Sequence, residues 1–396
     1  MIRKKVLIVG GGFGGVKAAI ELSENPRLDV TLISDRPTFR FYPALYRTAT
    51  GGVSSEASIP LERIFDNKPV SLRIEHAAQL DSPKRHLITK EGHTYHYDFL
   101  ILSLGVVTNY FGIKGLKEYS YGIKSLEQAV KLKHHLHAQL IDERSPDLNY
   151  VIVGGGATGV ELAGSLGEYL RRIMRNHGIE HRAIHIDLVE AGPRLLAKMP
   201  LNYSQRIATH LHQLGVRLYL DQTVQGESAD SLMVNSKPIT SHTVVWTAGV
   251  TNNPFFAKNG FSITDHGKVV VDQYLQAAPD IFVLGDNANT PYSGTAQTAL
   301  YDAKFVANNI ARHVVGKQPL SYVPKKPIYV TPAGPHWAAV AWGRVQLYGI
   351  GGWVLHQAAE FRGFHDLLKF LPASEQWVKE FAEEDDCPVC ATASNY

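Results

Sequence analysis

Residues 151–166 read VIVGGGATGVELAGSL, and residues 6–22 read VLIVGGGFGGVKAAIEL. Each begins as a short β-branched and aliphatic run, breaks into glycines, and continues with apolar residues at near-helical spacing, the pattern of strand, tight turn and helix. The first turn is Gly10-x-Gly12-x-x-Gly15 and the second Gly154-x-Gly156-x-x-Gly159. Glycines so placed permit a tight turn, close approach of backbone to a pyrophosphate, and close packing of helix on strand; the helix N-terminus offers its free N–H groups to the phosphates.

The spacing alone is a weak signal, and its surroundings strengthen it. After the first turn and helix, residues 29–33 (DVTLI) supply another strand, ending at Ser34 and Asp35, where a ribose-binding group belongs. After the second, residues 184–189 form a strand closed by Glu190. A carboxylate there accepts hydrogen bonds from ribose hydroxyls and repels a 2′-phosphate. At about 4 Å and an effective dielectric near 20, one like-charge pair costs on the order of 4 kcal/mol, so the second site favours NADH over NADPH. Two dinucleotides on one chain imply a relay between a resident flavin and an exchanging nicotinamide.

The expected fold class is α/β, with two nested Rossmann-like dinucleotide-binding domains, for FAD and NADH, and a small C-terminal α/β unit carrying an amphipathic helix. Residues 70–105 hold short alternating segments that fit strands of the first domain, and residues 268–286 are again strand-rich and suited to return to its sheet. No Pro/Ser-rich linker separates the parts, which favours nesting over a tandem array. The expected boundaries are 1–112 and 251–322 for the FAD domain, 113–250 for the NADH domain, and 323–396 for a C-terminal dimer- or membrane-docking unit with an acidic tail.

Composition narrows the function. The 396 residues carry 40 basic against 37 acidic side chains and are 44% hydrophobic. A net charge of +3 without a long Lys/Arg run argues against nucleic acid. The apolar run after residues 1–5 is too short for a secretory core, and no stretch approaches the roughly eighteen apolar residues of a membrane span. Both cysteines, Cys387 and Cys390, lie in the C-terminal CPVC. A reducing, cytoplasmic setting fits, with any membrane contact made peripherally from the cytoplasmic face.

These residues resemble the two-dinucleotide-binding-domain flavoproteins, and within them the type II NADH dehydrogenases. The likeness spans roughly residues 4–315 and rests on VLIVGGGFGG, FRFYPALYRTATGG, LILSLG, GGGATGVELAG, VVWTAGV, IFVLGDNA and GTAQTALYDAKFVANNI. It implies that Asp286 bonds the flavin ribityl chain, that Thr50 and Gly51 lie against the isoalloxazine, and that Glu161 sits near the stacked rings. It further implies FAD contacts at Phe13, Gly14, Arg36, Ala77, Ser103, Gly105, Ala296 and Gln297, and NADH contacts at Ala157, Thr158, Ala248 and Gly249.

In that family AQTALYDA approaches the quinone, with glutamine usual at the positions of Gln297 and Tyr301; here the second is tyrosine. A phenol still donates to a carbonyl but adds bulk and shifts the donor. Ser34 likewise stands where many relatives carry an acid. Relatives that use cysteines beside the flavin are disfavoured, because none precedes Cys387. The activity implied is hydride transfer from NADH to flavin and two electrons onward to a quinone, without proton pumping. Two alternatives stay open: a soluble NADH-dependent reductase using a small redox protein or oxygen, and a non-catalytic flavoprotein that responds to NADH.

The C-terminal part offers Phe361, Phe364, Leu367, Leu368 and Leu371 at helical spacing. Burying five such side chains contributes roughly 7 to 15 kcal/mol, against roughly 4 to 15 kcal/mol for immobilising a protein, so this stripe suits a membrane surface, the body of the protein or a homodimer. CPVC is half of a zinc-type site, a redox dithiol, or an unengaged tail. No metal is expected, and the neighbouring histidines 134, 135 and 137 are expected on solvated helix faces.

Overall fold

A computed structural model describes residues 3–141, 147, 149–179 and 182–384. Cys387 and Cys390 lie outside the described residues. In chain order, the elements that position the site begin with Lys4–Val9 (β1), Phe13–Ser23 (α1), Leu28–Ser34 (β2), Leu45–Ala49 (α2), Val70–Ile74 (β3), Phe99–Leu102 (β4) and Leu126–Ile141 (α3). Asn149–Val153 (β5), Ala157–Asn176 (α4), His185–Val189 (β6), Leu201–Gln213 (α5), Val216–Tyr219 (β7) and Thr243–Trp246 (β8) follow. The chain then forms Gln276–Ala278 (β9), Ile281–Val283 (β10) and Ala296–His313 (α6). It closes with Tyr329–Pro332 (β11), Ala338–Trp342 (β12), Val345–Leu347 (β13), Ile350–His365 (α7) and Phe370–Val378 (α8).

The first sheet runs β9-β10-β4-β1-β2-β3, parallel except for β9. Its central strand explains the unbroken aliphatic run. Val6 and Ile8 enter one core while Leu7 and Val9 enter another, so the sheet is covered on both faces and no polar alternation survives. The second sheet runs β7-β6-β5-β8, all parallel. It obeys the same rule, with Tyr150 and Ile152 on one face and Val151 and Val153 on the other.

Nesting is visible in the pairing. The chain leaves the first sheet after β4, builds the second, and returns as β10, where Ile281 registers with Leu100. A two-stranded antiparallel ribbon, Val106–Thr108 with Val250–Asn252, joins the outgoing and returning crossings.

The C-terminal unit packs an antiparallel sheet, β11-β12-β13, against α7. Here one sequence expectation needs correction. The apolar stripe is not continuous, because α7 ends at His365 and α8 begins at Phe370. Phe364, Leu367 and Leu368 are buried, and Phe364 stacks on Phe41 at 4.1 Å between ring centroids. The aromatic partner and enclosed space inside the protein take up what the spacing left free to dock elsewhere. Exposed on the two helices and just beyond are Ile350, Val354, Phe370, Leu371, Val378 and Phe381, with Leu371 73% exposed. Among the histidines, His134 is exposed as expected, but His137 is buried on α3 against Tyr169.

Candidate active site

The two glycine turns are built alike. Gly10 has φ +116° and Gly154 φ +114°, a region that disfavours any side chain. A Cβ on Gly15 would lie 1.9 Å from the Gly10 carbonyl oxygen, and one on Gly159 would lie 1.9 Å from that of Gly154. Helix and strand therefore meet at a distance only glycine allows. By contrast, a Cβ on Gly12 or Gly156 would meet nothing within 4 Å. That open space lies at the N-termini of α1 and α4, where unsatisfied N–H groups favour an anion. Both turns thus fit a dinucleotide pyrophosphate, beside Phe13 and Gly14 in the first and Ala157 and Thr158 in the second.

Register makes the two strand ends equivalent. Gly10 N–H donates to Ile33 O and Gly154 N–H to Val189 O, both at 2.8 Å, so the next residues, Ser34 and Glu190, occupy equivalent places. Glu190 accepts from Gly155 N at 2.6 Å and from Gly192 N at 2.7 Å. Each oxygen keeps a lone pair for a ribose hydroxyl. Ser34 is buried against Gly11 and donates to Arg36 O at 2.7 Å, while Asp35 turns outward into an ion pair with Arg36. The first site therefore lacks a carboxylate in Glu190's place. Ala77 opens a strand on the same rim, where Glu75 N donates to Ser34 O.

The sheet crossings bring the remaining residues together. A Cβ on Gly10 would strike Ser103 O, and one on Gly154 would lie 2.7 Å from Ala248 Cα, so 103–105 and 247–249 flank their respective turns. Asn109 N donates to Gly249 O. Gly105, at φ +67°, is held by Asn287, which accepts from its N–H at 2.9 Å and donates to its carbonyl at 2.7 Å. Asp286 lies in the 3₁₀ turn Gly285–Asn287, and Lys268 donates to its backbone carbonyl. Beneath that turn, buried Asp302 accepts from Gly285 N at 3.1 Å and from Tyr322 Oη at 2.6 Å. Burial pushes Asp302 up to about 6, against the pull of those donors. Arg36 and Asp286 both act electrostatically on Tyr42, and Asp286 on Lys124.

The pair expected beside the quinone does not present free donors. Gln297 Nε2 donates to Ile328 O at 2.7 Å, and its Oε1 accepts from Ile328 N at 3.0 Å. Tyr301 Oη donates to Val323 O at 3.0 Å. Both side chains, one helical turn apart on α6 near Ala296, are spent on the backbone of the segment leading to the C-terminal unit. Its prolines at 324 and 327 leave carbonyls in need of donors.

Thr50 and Gly51, just after α2, lie against α4. Thr50 Oγ1 donates to Tyr46 O at 2.9 Å, and Gly51, at φ +92°, packs so tightly on Tyr169 and Arg172 that a Cβ would collide. Glu384 N donates to Gly51 O, so the C-terminal segment closes over this loop. Glu161, one turn into α4, is partly buried. Burial raises its carboxyl to about 7, and the cations His356 and Arg47 pull it only part of the way back.

Asn287, Asp302, Lys124 and Arg47 were not singled out from sequence. Asn287 directly follows Asp286 in LGDNA, and Arg47 lies inside the quoted FRFYPALYRTATGG, so their signals were present but local. Asp302 likewise lies inside the quoted AQTALYDA, whereas Lys124 carries no pattern of its own.

Comparison with known proteins fixes the family. The pyridine nucleotide-disulphide oxidoreductase family matches residues 4–303. The type II NADH:quinone oxidoreductase Ndh of Mycobacterium tuberculosis is 30% identical over 349 residues, covering 81% of this chain and 75% of that protein. The chain belongs to the type II NADH:quinone oxidoreductases. A second member of the family, from Staphylococcus saprophyticus, is 27% identical over 338 residues, covering 80% and 84%. In fold, NDH2 from Plasmodium falciparum, solved with NADH, superposes with a TM-score of 0.86 at 18% identity over 96% of this chain and 97% of that one. The sulfide:quinone oxidoreductase of Aquifex aeolicus gives 0.79 at 21% identity over 97% and 98%.

Proposed function

We propose that the chain passes hydride from NADH to a bound FAD and two electrons onward to a quinone. The observation that carries this reading is the pair of matching glycine turns, each with open space at its helix N-terminus, on two sheets of one chain. Bound FAD would supply the two-electron relay. Residues 1–112 and 251–322 would hold it, through Gly10, Gly12, Gly15 and Ser34 at the adenosine end and Asp286 with Gly105 at the ribityl end. Residues 113–250 would hold NADH, with Glu190 on the ribose and Ala248 and Gly249 beside the nicotinamide.

The residues act by alignment. Gly51, pressed on α4, and Glu161, on the same helix, fix the wall that the two rings would share. No nucleophile is needed. No helix among the described residues is long and apolar enough to cross a membrane. Quinone would be met at the surface, where the exposed aromatic and aliphatic group Phe370, Leu371, Val378 and Phe381 suits a cytoplasmic lipid face.

A second reading, a soluble reductase for a small redox protein or oxygen, is favoured by one observation: Gln297 and Tyr301 already bond the backbone. Steady-state rates with NADH and a short-chain quinone, ferricyanide or oxygen separate the two. Quinone reduction well above oxygen reduction is expected, and equal rates would remove the first reading.

A further inference from the structure

Arg47 gathers an unusual amount of buried charge. Its guanidinium pairs with Glu56, with Glu360 at 2.8 Å and with Glu380 at 3.6 Å, and donates to Tyr46 Oη at 3.2 Å. His356 Nε2 lies 3.4 Å from Glu360, and Gln357 donates to Glu380 at 2.7 Å. All four acidic and imidazole side chains are at least nine-tenths buried. Yet His356 Nδ1 and Glu380 Oε2 have no hydrogen-bond partner among the described residues. His356, Glu360 and Glu380 come close enough together to hold a cation, but Arg47 already supplies positive charge at the two carboxylates.

Buried ions that only stabilise are expected to satisfy their polar atoms. This group leaves a buried atom without a protein partner among the described residues at each end. One end is Glu380, in the short helix Lys379–Phe381 beside exposed Phe381 and Val378. At the other is His356, which shares Glu360 with Arg47 on α2, the helix packed against the Glu161-bearing α4.

The reaction read above has a matching need. NADH delivers two electrons and one proton as hydride, whereas reducing a quinone to a quinol takes two electrons and two protons. One proton must come from the medium. We propose that Glu380, Glu360 and His356, ordered around Arg47, are the proton input for quinol formation, loading at Glu380 from solvent and presenting the proton at His356 on the Glu161 side. This rests on the quinone-reducing function proposed above.

The titratable and charged groups that face the array come from every element around it. They are Tyr46 and Arg47 from α2, Glu56 from residues 54–57, Glu161 from α4, and Lys379 near Glu56. Burial raises Glu380 to about 7, with Glu360 adding to the rise and Arg47 opposing it. Burial opposes charge on His356, but Glu360 overcomes it and raises the imidazole. Glu380 can therefore exchange a proton near neutral pH, while Glu360 favours the charged imidazole of His356 and Arg47 and His356 keep Glu360 ionised despite its burial.

Rapid mixing of the FAD-loaded protein tests this. The two half-reactions are followed separately: bleaching by NADH, then reoxidation of the reduced protein by a short-chain quinone with a pH-indicator dye present. In His356→Gln and in Glu380→Gln, bleaching should keep its wild-type rate. Reoxidation and the linked proton uptake should slow by about a hundredfold, the scale of a positioned proton donor. The wild-type fall in reoxidation rate as pH rises through about 7 should vanish in Glu380→Gln.

Unchanged reoxidation and dye response in both variants overturn the proton role. A wild-type protein that NADH bleaches but quinone does not reoxidise overturns instead the function on which it rests. Should a variant lose its flavin, infrared difference spectra of the wild type decide. A pH-dependent carboxyl band on reduction of the wild type supports the array, and its absence overturns it.

Discussion

The Gly155 N–H donates to the Glu190 carboxylate at 2.6 Å, inside the second glycine turn. The acid that would read the ribose is thus fixed by the loop that would receive the pyrophosphate. Gly192 N holds the other oxygen at 2.7 Å, so the carboxylate has little freedom to rotate away from a 2′-phosphate. Glu190→Gln should lower the NADH-to-NADPH ratio of kcat/KM by at least about tenfold, part of the several kcal/mol a like-charge contact is worth. Flavin bleaching rates with each nucleotide check it, and an unchanged ratio would place discrimination elsewhere.

Glycine positions within one turn should behave differently. Gly12→Ala puts its methyl into open space, so the protein should fold with a near wild-type Tm but be purified with much less flavin. Gly15→Ala drives a methyl to 1.9 Å from the Gly10 carbonyl and should lower Tm as well. Absorbance of the purified proteins and thermal melts separate the two outcomes. A Gly12→Ala protein with full flavin would argue against pyrophosphate at that turn.

The divided C-terminal stripe gives a paired prediction. Phe364→Ala removes a fully buried ring stacked on Phe41 and should cost about 3 to 5 kcal/mol of stability in denaturant unfolding. Leu371→Asp alters a side chain that is 73% exposed and should leave stability nearly unchanged while reducing co-sedimentation with anionic liposomes. Equal sedimentation of wild type and Leu371→Asp would remove this surface as the docking face.

Glu161 predicts a pH dependence of stability. Burial raises its folded carboxyl from 4.5 to about 7. Between those values the folded state holds a proton that the unfolded chain has released. Its contribution to stability is therefore full below about 4.5 and is lost as pH rises through about 7. Glu161→Gln should flatten the decline over that window, by at most about 1.4 kcal/mol per pH unit. Urea unfolding midpoints across the window check this, and parallel curves would contradict it.

Sequence made the two dinucleotide folds legible because strand, glycine turn and helix are contiguous and their periods change within twenty residues. The return of 268–286 to the first sheet was also readable, since apolar Ile281–Val283 must be covered on both faces. The apolar spacing of Phe361 to Leu371 was equally visible, but spacing says nothing of what a stripe packs against, and Phe41 lies more than three hundred residues earlier. The Arg47 group was hidden for the same reason. Arg47 and Glu360 meet across 313 residues, on helices that carry no shared motif. Ser34 and Asp35 could not be ranked until the register with Glu190 was known.

Anaerobic titration of the purified protein with NADH bears most directly on the central claim, that this chain holds a flavin where a visiting nicotinamide can reduce it. A yellow protein whose flavin absorbance is fully bleached by about one equivalent of NADH per chain is the expected result, as a two-electron relay requires. A protein that binds no flavin on reconstitution, or whose bound flavin NADH leaves oxidised, would contradict it.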